Sequence, residues 1–411
     1  MHQDKNKVFR LLGKIMHYDW GGTSFLPDLL QIPNPENRPF AEYWLGAHVR
    51  ASSELLMPAG GTVLLNEYTR AFPKQTLGEY VTETFGQLPY LLKVLDVNHM
   101  LSIQVHPSKK NAEKEFLDEN DRGIALTAIT RNYKDANHKP EMLLALSEFW
   151  LLHGFKPAEG LINVLNRIPE LHFLLEVFEK KGYQALYSLV MEMPQTRVNE
   201  TLQPLIKRLI PAYQENRLNP TQEDFWVARA AQGFSITGNI DRGIFSIYLF
   251  NLVHLREGEA LYQGAGLPHA YLEGQNIEIM ANSDNVLRGG LTSKHIDVKE
   301  LMKHIEFQQT IPAVQKSADG TGHFQIFSSP APDFVLGRIK LQEGHTISFL
   351  CNSAEIYFVL KGRILLRENE QDEIPLKMGQ AFIGFDHAAF GLKAEEESIL
   401  IRAAVPLLND L

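Results

Sequence analysis

The stretch Leu101–Lys110, LSIQVHPSKK, decides how the chain is read. Leu101, Ile103 and Val105 alternate with Ser102, Gln104 and His106, the two-residue period of a β-strand. The apolar set packs on a core layer, so the polar set must line something else. Taken alone, such a face most often meets water. The sharper reading is the interior of a barrel holding a polar ligand or a metal ion. Which applies depends on what the rest of the chain brings to that face.

The frame is that of a globular protein. With 411 residues, 44% hydrophobic and 22% charged, the chain is expected to form two or three domains. A net charge of −9 argues against nucleic acid or a membrane surface as partner, but allows a small anionic substrate in a local basic pocket. Nothing indicates an obligate protein partner. The single cysteine, Cys351, excludes an intrachain disulfide framework and fits a reducing compartment. No apolar run approaches the roughly 20 residues of a membrane span. The first residues, MHQDKNKVFRLLGKIMHYDWGG, lack a signal-peptide pattern, so the expected location is cytoplasmic.

Three textures follow one another. Residues 1–155 read as short β-segments broken by turns such as LPDLLQIPNPENRP, with YLLKVLDV and LSIQVH expected to pair through NHM. EMLLALSEFWLLHGF reads equally as a buried strand pair or a short helix. Residues 156–233 carry apolar residues at helical spacing, punctuated by Pro169, Pro194, Pro211 and Pro220 as breakers. Strands return in GIFSIYLFNLVHLREGEALYQGAG, so the helical block reads as an insertion into one β-domain whose second part spans 234–320. Residues 321–411 are all-β by texture, and FVLKGRILL with LKMGQAFIG resembles the two halves of a cupin-type barrel of the jelly-roll class. From about Phe324 to Ala404 only isolated histidines, His345 and His387, occur, so this barrel is expected to be metal-free. The fold class is mainly β: two cupin-like barrels and an inserted helical domain.

Two further segments can complete the face begun by Gln104 and His106. In NHKPEM, Lys139 and Glu141 share a face of extended chain, with Pro140 at an edge or bulge. Between Gly264 and Val298, a Gly-Leu-Pro turn precedes His269, the strand QNIEIM carries Glu278, and SDNVLRGGLTSK supplies Asp284, Arg288 and Lys294. Two histidines, a carboxylate and an amide oxygen suit a divalent ion, zinc foremost, with manganese, iron or cobalt compatible. Lys93 in YLLKVL reads equally as an edge-strand charge.

Taken together, LSIQVHP, HKPEM, DRGIFSIYLFNLV, PHAYLEG and ANSDNVLRGGLT, with AEYWLGAH and LPYLLKVL, resemble type I phosphomannose isomerases. That resemblance implies a cupin-fold aldose–ketose isomerase carrying one zinc ion per chain and taking mannose 6-phosphate to fructose 6-phosphate through a cis-enediol. It implies Gln104, His106, Glu141 and His269 as metal ligands. Lys93, Lys139, Glu278 and Arg288 fall around the sugar site, and Ser102 and Lys294 at the substrate phosphate. The base is left between Glu278 and Lys139, and His138 and Asp284 are available for ring opening. HYDWGG and Gly289 depart from the usual family pattern, which touches loop geometry and no proposed ligand. Two rivals are a metal-dependent cupin oxygenase, which leaves Gln104 and the basic residues unexplained, and a non-catalytic sugar-phosphate-binding cupin, which is expected to have lost a ligand or a catalytic charge.

Overall fold

The computed structural model describes residues 6–234, 238–316, 323–368 and 373–406. Among them, antiparallel strands form three sheets, of ten, eight and four strands, and ten α-helices surround them. No helix among the described residues is long and apolar enough to cross a membrane.

The hub is the long strand His269–Ala281. Its first half pairs with Phe149–Phe155 and, at His269, with Ile103–Val105; its second half pairs with Tyr90–Val97 and Glu141–Ala145. Gly274 makes the change of partners geometrically accessible. Its φ is +119°, and a Cβ there would lie 2.5 Å from the Glu148 carbonyl oxygen, so only glycine fits the bend.

Ile103 and Val105 lie in one buried cluster with Leu161, Leu165, Leu186 and Leu202 of the helical block. The helices Ala158–Arg167, Phe173–Glu192, Gln195–Gln214 and Glu223–Phe234 therefore cover the outer face of this sheet, and the polar alternates of Leu101–His106 are left to the inner face.

Several expectations are corrected. The strand in LSIQVHP is shorter than its alternation suggests, Ile103–Val105, and does not pair with Tyr90–Val97; both join the hub strand instead. Of the two readings of EMLLALSEFWLLHGF, the strand pair holds: it forms Glu141–Ala145 and Phe149–Phe155, each paired with the hub. Gly243–Leu249 is a helix, not a strand. All seven of its residues are buried, which erases the periodicity that separates the two. Pro211 does not break a helix: it lies inside Gln195–Gln214, as does Pro204, and the core packing of Val198, Leu202, Leu205 and Leu209 carries the helix past both. The helices Leu65–Ala71, Pro73–Phe85 and Lys109–Asp121 interrupt the region read as β. Finally, Val8–Leu12, Glu54–Leu56 and Thr62–Leu64 do not join the ten-stranded sheet. They extend the eight-stranded one, where Val8–Leu12 pairs with Ala381–Gly384.

Candidate active site and metal centre

Strand register brings the polar residues into rows. Gln104 stands opposite Arg288 on one side and His269 on the other. Lys93 stands between Trp44 and Glu278, and Glu141 lies opposite Gln263 and Met280. A residue row across an antiparallel sheet shares one face, so segments far apart in sequence converge on a single cleft.

At its floor, His106, Glu141 and His269 are all buried and offer donor atoms within 4.8 Å of one another. Glu141 Oε1 lies 3.3 Å from His106 Nε2, and Oε2 lies 3.2 Å from His269 Nε2. Each ring is aimed by its other nitrogen: His106 Nδ1 donates to the Asn285 carbonyl at 2.8 Å and His269 Nδ1 to the Leu267 carbonyl at 3.0 Å. A carbonyl only accepts, so the Nε2 lone pairs turn toward Glu141, as in metal-binding histidines. Among the described residues His106 Nε2 is buried with no hydrogen-bond partner, which is costly unless an ion or ligand uses it. Burial pushes the His106 imidazole down to about 4 against the pull of Glu141, so it is neutral and able to ligate. Burial also disfavours the Glu141 carboxylate, but the Lys139 ammonium foremost outweighs this and holds it well below the usual carboxylate range.

A small recess of about 50 Å³ adjoins this floor, lined among others by Glu42, Lys93, Gln104, Lys139, Glu141 and Glu278. Lys139 Nζ stands 3.1 Å from Glu141. Lys93 donates to Glu278 Oε2 at 2.9 Å, and the Tyr271 hydroxyl donates to Oε1 at 2.8 Å. Gln263 bridges Tyr271 (2.9 Å) and Glu141 (3.3 Å), so the carboxylate of the metal group and Glu278 belong to one hydrogen-bonded chain. Burial works against the charge on Lys93, but Glu278, Glu42 and Glu141 raise its pKa and keep the ammonium protonated.

The recess opens into a cleft of about 670 Å³ that shares Glu42, Leu101 and Gln104 with it and is lined by Ser102, Arg288, Thr292, Ser293 and Lys294. Among the described residues neither Arg288 nor Lys294 has a carboxylate partner. Burial lowers the pKa of both, and for Lys294 the neighbouring Arg288 and Arg50 lower it further. Unpaired cations beside hydroxyls are the chemistry of an anion site.

His138 and Asp284 line neither space. His138 bonds Asp333 of the C-terminal segment at 2.8 Å. Asp284 pairs with Arg50 at 3.0 Å and lies 3.6 Å from His48. Three participants escape the sequence reading. Tyr271 sits two residues beyond His269, where strand alternation alone points to it. Glu42 is a lone buried charge in an apolar strand, accepting from the Trp44 indole N–H. Gln263 gives no signal before the register is known.

The sequence comparisons agree with this geometry. "Phosphomannose isomerase type I, catalytic domain" matches residues 8–158. The mannose-6-phosphate isomerase of Salmonella typhimurium is 36% identical over 387 residues, covering 92% of this chain and 95% of that protein.

The chain belongs to the type I phosphomannose isomerase family.

The mannose-6-phosphate isomerase of Homo sapiens is 32% identical over 437 residues, covering 98% of this chain and 99% of that protein. Two solved structures are each similar at 32% identity and a TM-score of 0.85, covering 98% of this chain and 100% of theirs. One is a zinc-bound mannose 6-phosphate isomerase, the other the Salmonella typhimurium enzyme bound to substrate (f6p) and zinc.

Two buried histidines outside the cleft and recess set an acid limit on stability. Burial pushes His48 and His153 down to about 4, against the opposing pull of Asp284 on the first and the Tyr262 carbonyl on the second. An unfolded imidazole binds its proton near 6.5. Between about pH 4 and 6.5 the unfolded chain therefore holds more protons, so stability rises with pH there and is lost on acidification through the same window. The urea midpoint of the metal-free protein is expected to fall between pH 7 and 4.5, and less steeply in His153→Gln.

Proposed function

We propose that the chain is a zinc-dependent mannose-6-phosphate isomerase, interconverting mannose 6-phosphate and fructose 6-phosphate through a cis-enediol. The observation that carries this is the junction of a buried His106–Glu141–His269 group with a cleft whose cations, Arg288 and Lys294, lack carboxylate partners. Gln104, opposite His269 in register and lining both spaces, completes a neutral-rich donor set for one ion. The unpartnered, buried Nε2 of His106 fits that ion. Bound there, zinc supplies Lewis-acid polarisation of sugar oxygens, several kcal/mol of charge stabilisation.

The protein's own groups do the rest. Ser102, Arg288 and Lys294 bind the phosphate and hold the sugar chain toward the recess. Lys93, kept charged by three carboxylates, fixes Glu278 and adds positive potential where the enediol oxygens develop negative charge. The proton moved between carbon 2 and carbon 1 passes to Glu278 or Lys139, both of which line the recess. His138, committed to Asp333, and Asp284, paired with Arg50, line neither space and take no part in this scheme.

The same reading treats residues 1–155 and 234–320 as one catalytic cupin barrel, 156–233 as its insertion and 321–411 as a second cupin-like barrel that borrows three N-terminal strands. The buried Cys351 supports a reducing, cytoplasmic location. The test is mannose 6-phosphate in D₂O followed by NMR. Conversion to fructose 6-phosphate with deuterium entering at carbon 1 or 2 is expected. Saturable binding without conversion would mark a sugar-phosphate-binding protein instead.

A further inference from the structure

The turn presenting Thr292, Ser293 and Lys294 to the cleft has unusual backbone. Gly290 has φ +134° and Leu291 has φ +52°. A leucine in the left-handed region is strained because its Cβ crowds the following carbonyl, and such strain persists where the surroundings hold it, often near a functional site. What holds it is Asp241. Its Oδ1 accepts from the main-chain N–H of Leu291 at 2.8 Å and of Gly243 at 2.7 Å; its Oδ2 accepts from Thr292 at 3.1 Å.

The two turns are pressed together. A Cβ on Gly243 would lie 2.6 Å from the Leu291 nitrogen, and one on Gly290 2.4 Å from the Gly243 Cα. The neighbouring Arg242 donates to the Met191 carbonyl and fastens this turn to the helical block. Leu291 itself is buried in the core it shares with those helices. Asp241 lines neither the cleft nor the recess, yet its carboxylate fixes where the chain leaves Arg288 and rejoins the cleft wall at Leu291 and Thr292.

We propose that Asp241 is a positioning residue for substrate phosphate, setting the placement of Thr292–Lys294 against Arg288 from outside the cleft. This rests on reading that cleft as the phosphate site. It acts on binding and not on the proton transfer, because the metal group and Glu278 are carried by other strands.

The test compares Asp241→Ala, Asp241→Asn and Lys294→Ala in steady-state kinetics with mannose 6-phosphate, with inorganic phosphate as competitive inhibitor and zinc content measured throughout. For Asp241→Ala the KM and the phosphate inhibition constant are expected to rise together by roughly tenfold, the scale of a misplaced binding group, with kcat and zinc content nearly unchanged. Asp241→Asn keeps one acceptor oxygen and should fall in between; it carries the comparison if the alanine variant does not fold. Unchanged constants in the Asp241 variants beside raised ones in Lys294→Ala overturn the proposal and leave the phosphate site standing. Loss of kcat and zinc at unchanged KM also overturns it, marking a structural role. Unchanged constants in Lys294→Ala remove the phosphate reading itself.

Discussion

Replacing Glu141 with glutamine is expected to release the metal and lower kcat/KM by roughly a thousandfold or more, the several kcal/mol that a Lewis acid contributes to an isomerisation of this kind. Glu141 touches every other member of the metal group. Its two oxygens face the two Nε2 atoms, and Lys139 and Gln263 contact the same carboxylate. Glutamine keeps the shape but removes the only formal negative charge among the four proposed ligands, leaving a neutral set beside the Lys139 ammonium. Metal affinity should therefore collapse while the fold survives. Zinc per chain, measured after gel filtration alongside circular dichroism, checks this. A variant that keeps one zinc and wild-type turnover would show that Glu141 is an ordinary partner of Lys139.

Glu278→Gln is expected to lower kcat by about 10²–10⁴-fold, the range for losing a positioned acid–base group, with KM changed far less. The substitution is nearly isosteric, and zinc content should hold because none of the three clustered donors is touched. The Tyr271 hydroxyl, whose pKa is raised by burial and by Glu278 and Glu141, stays protonated and can still donate to the amide oxygen. Deuterium exchange into the sugar from D₂O is the second readout and should fall with kcat. A kcat within tenfold of wild type, with exchange intact, would move the proton to Lys139, and Lys139→Met would then carry the large loss.

Much of this site is legible in the sequence because strand alternation is a local property. Gln104 and His106 share a face by spacing alone, as do Lys139 and Glu141, and the structure agrees: Gln104, Lys139 and Glu141 line one recess, and His106 joins Glu141 in the metal group. Pairing is a different matter. YLLKVLDV and LSIQVH look like hairpin partners because they are adjacent in sequence, yet both are claimed by a hub strand some 170 residues later. Only Gly274, by its bend, lets one strand serve two sets of neighbours. Gln263 is invisible for the same reason: its function comes from lying opposite Glu141, and register is set by distant packing. GIFSIYL misleads differently. A helix buried on all sides carries no stripe, so composition favours the strand and the tertiary context decides otherwise. The loan of Val8–Leu12, Glu54–Leu56 and Thr62–Leu64 to the eight-stranded sheet likewise leaves no local trace.

The most direct measurement is turnover of mannose 6-phosphate by the purified protein before and after dialysis against a chelator, and again after zinc is restored. Activity that disappears with the chelator and returns with one equivalent of zinc is the expected result, joining the His106–Glu141–His269 group to the reaction. Turnover unaffected by complete zinc removal, or no turnover with one zinc bound, would contradict it.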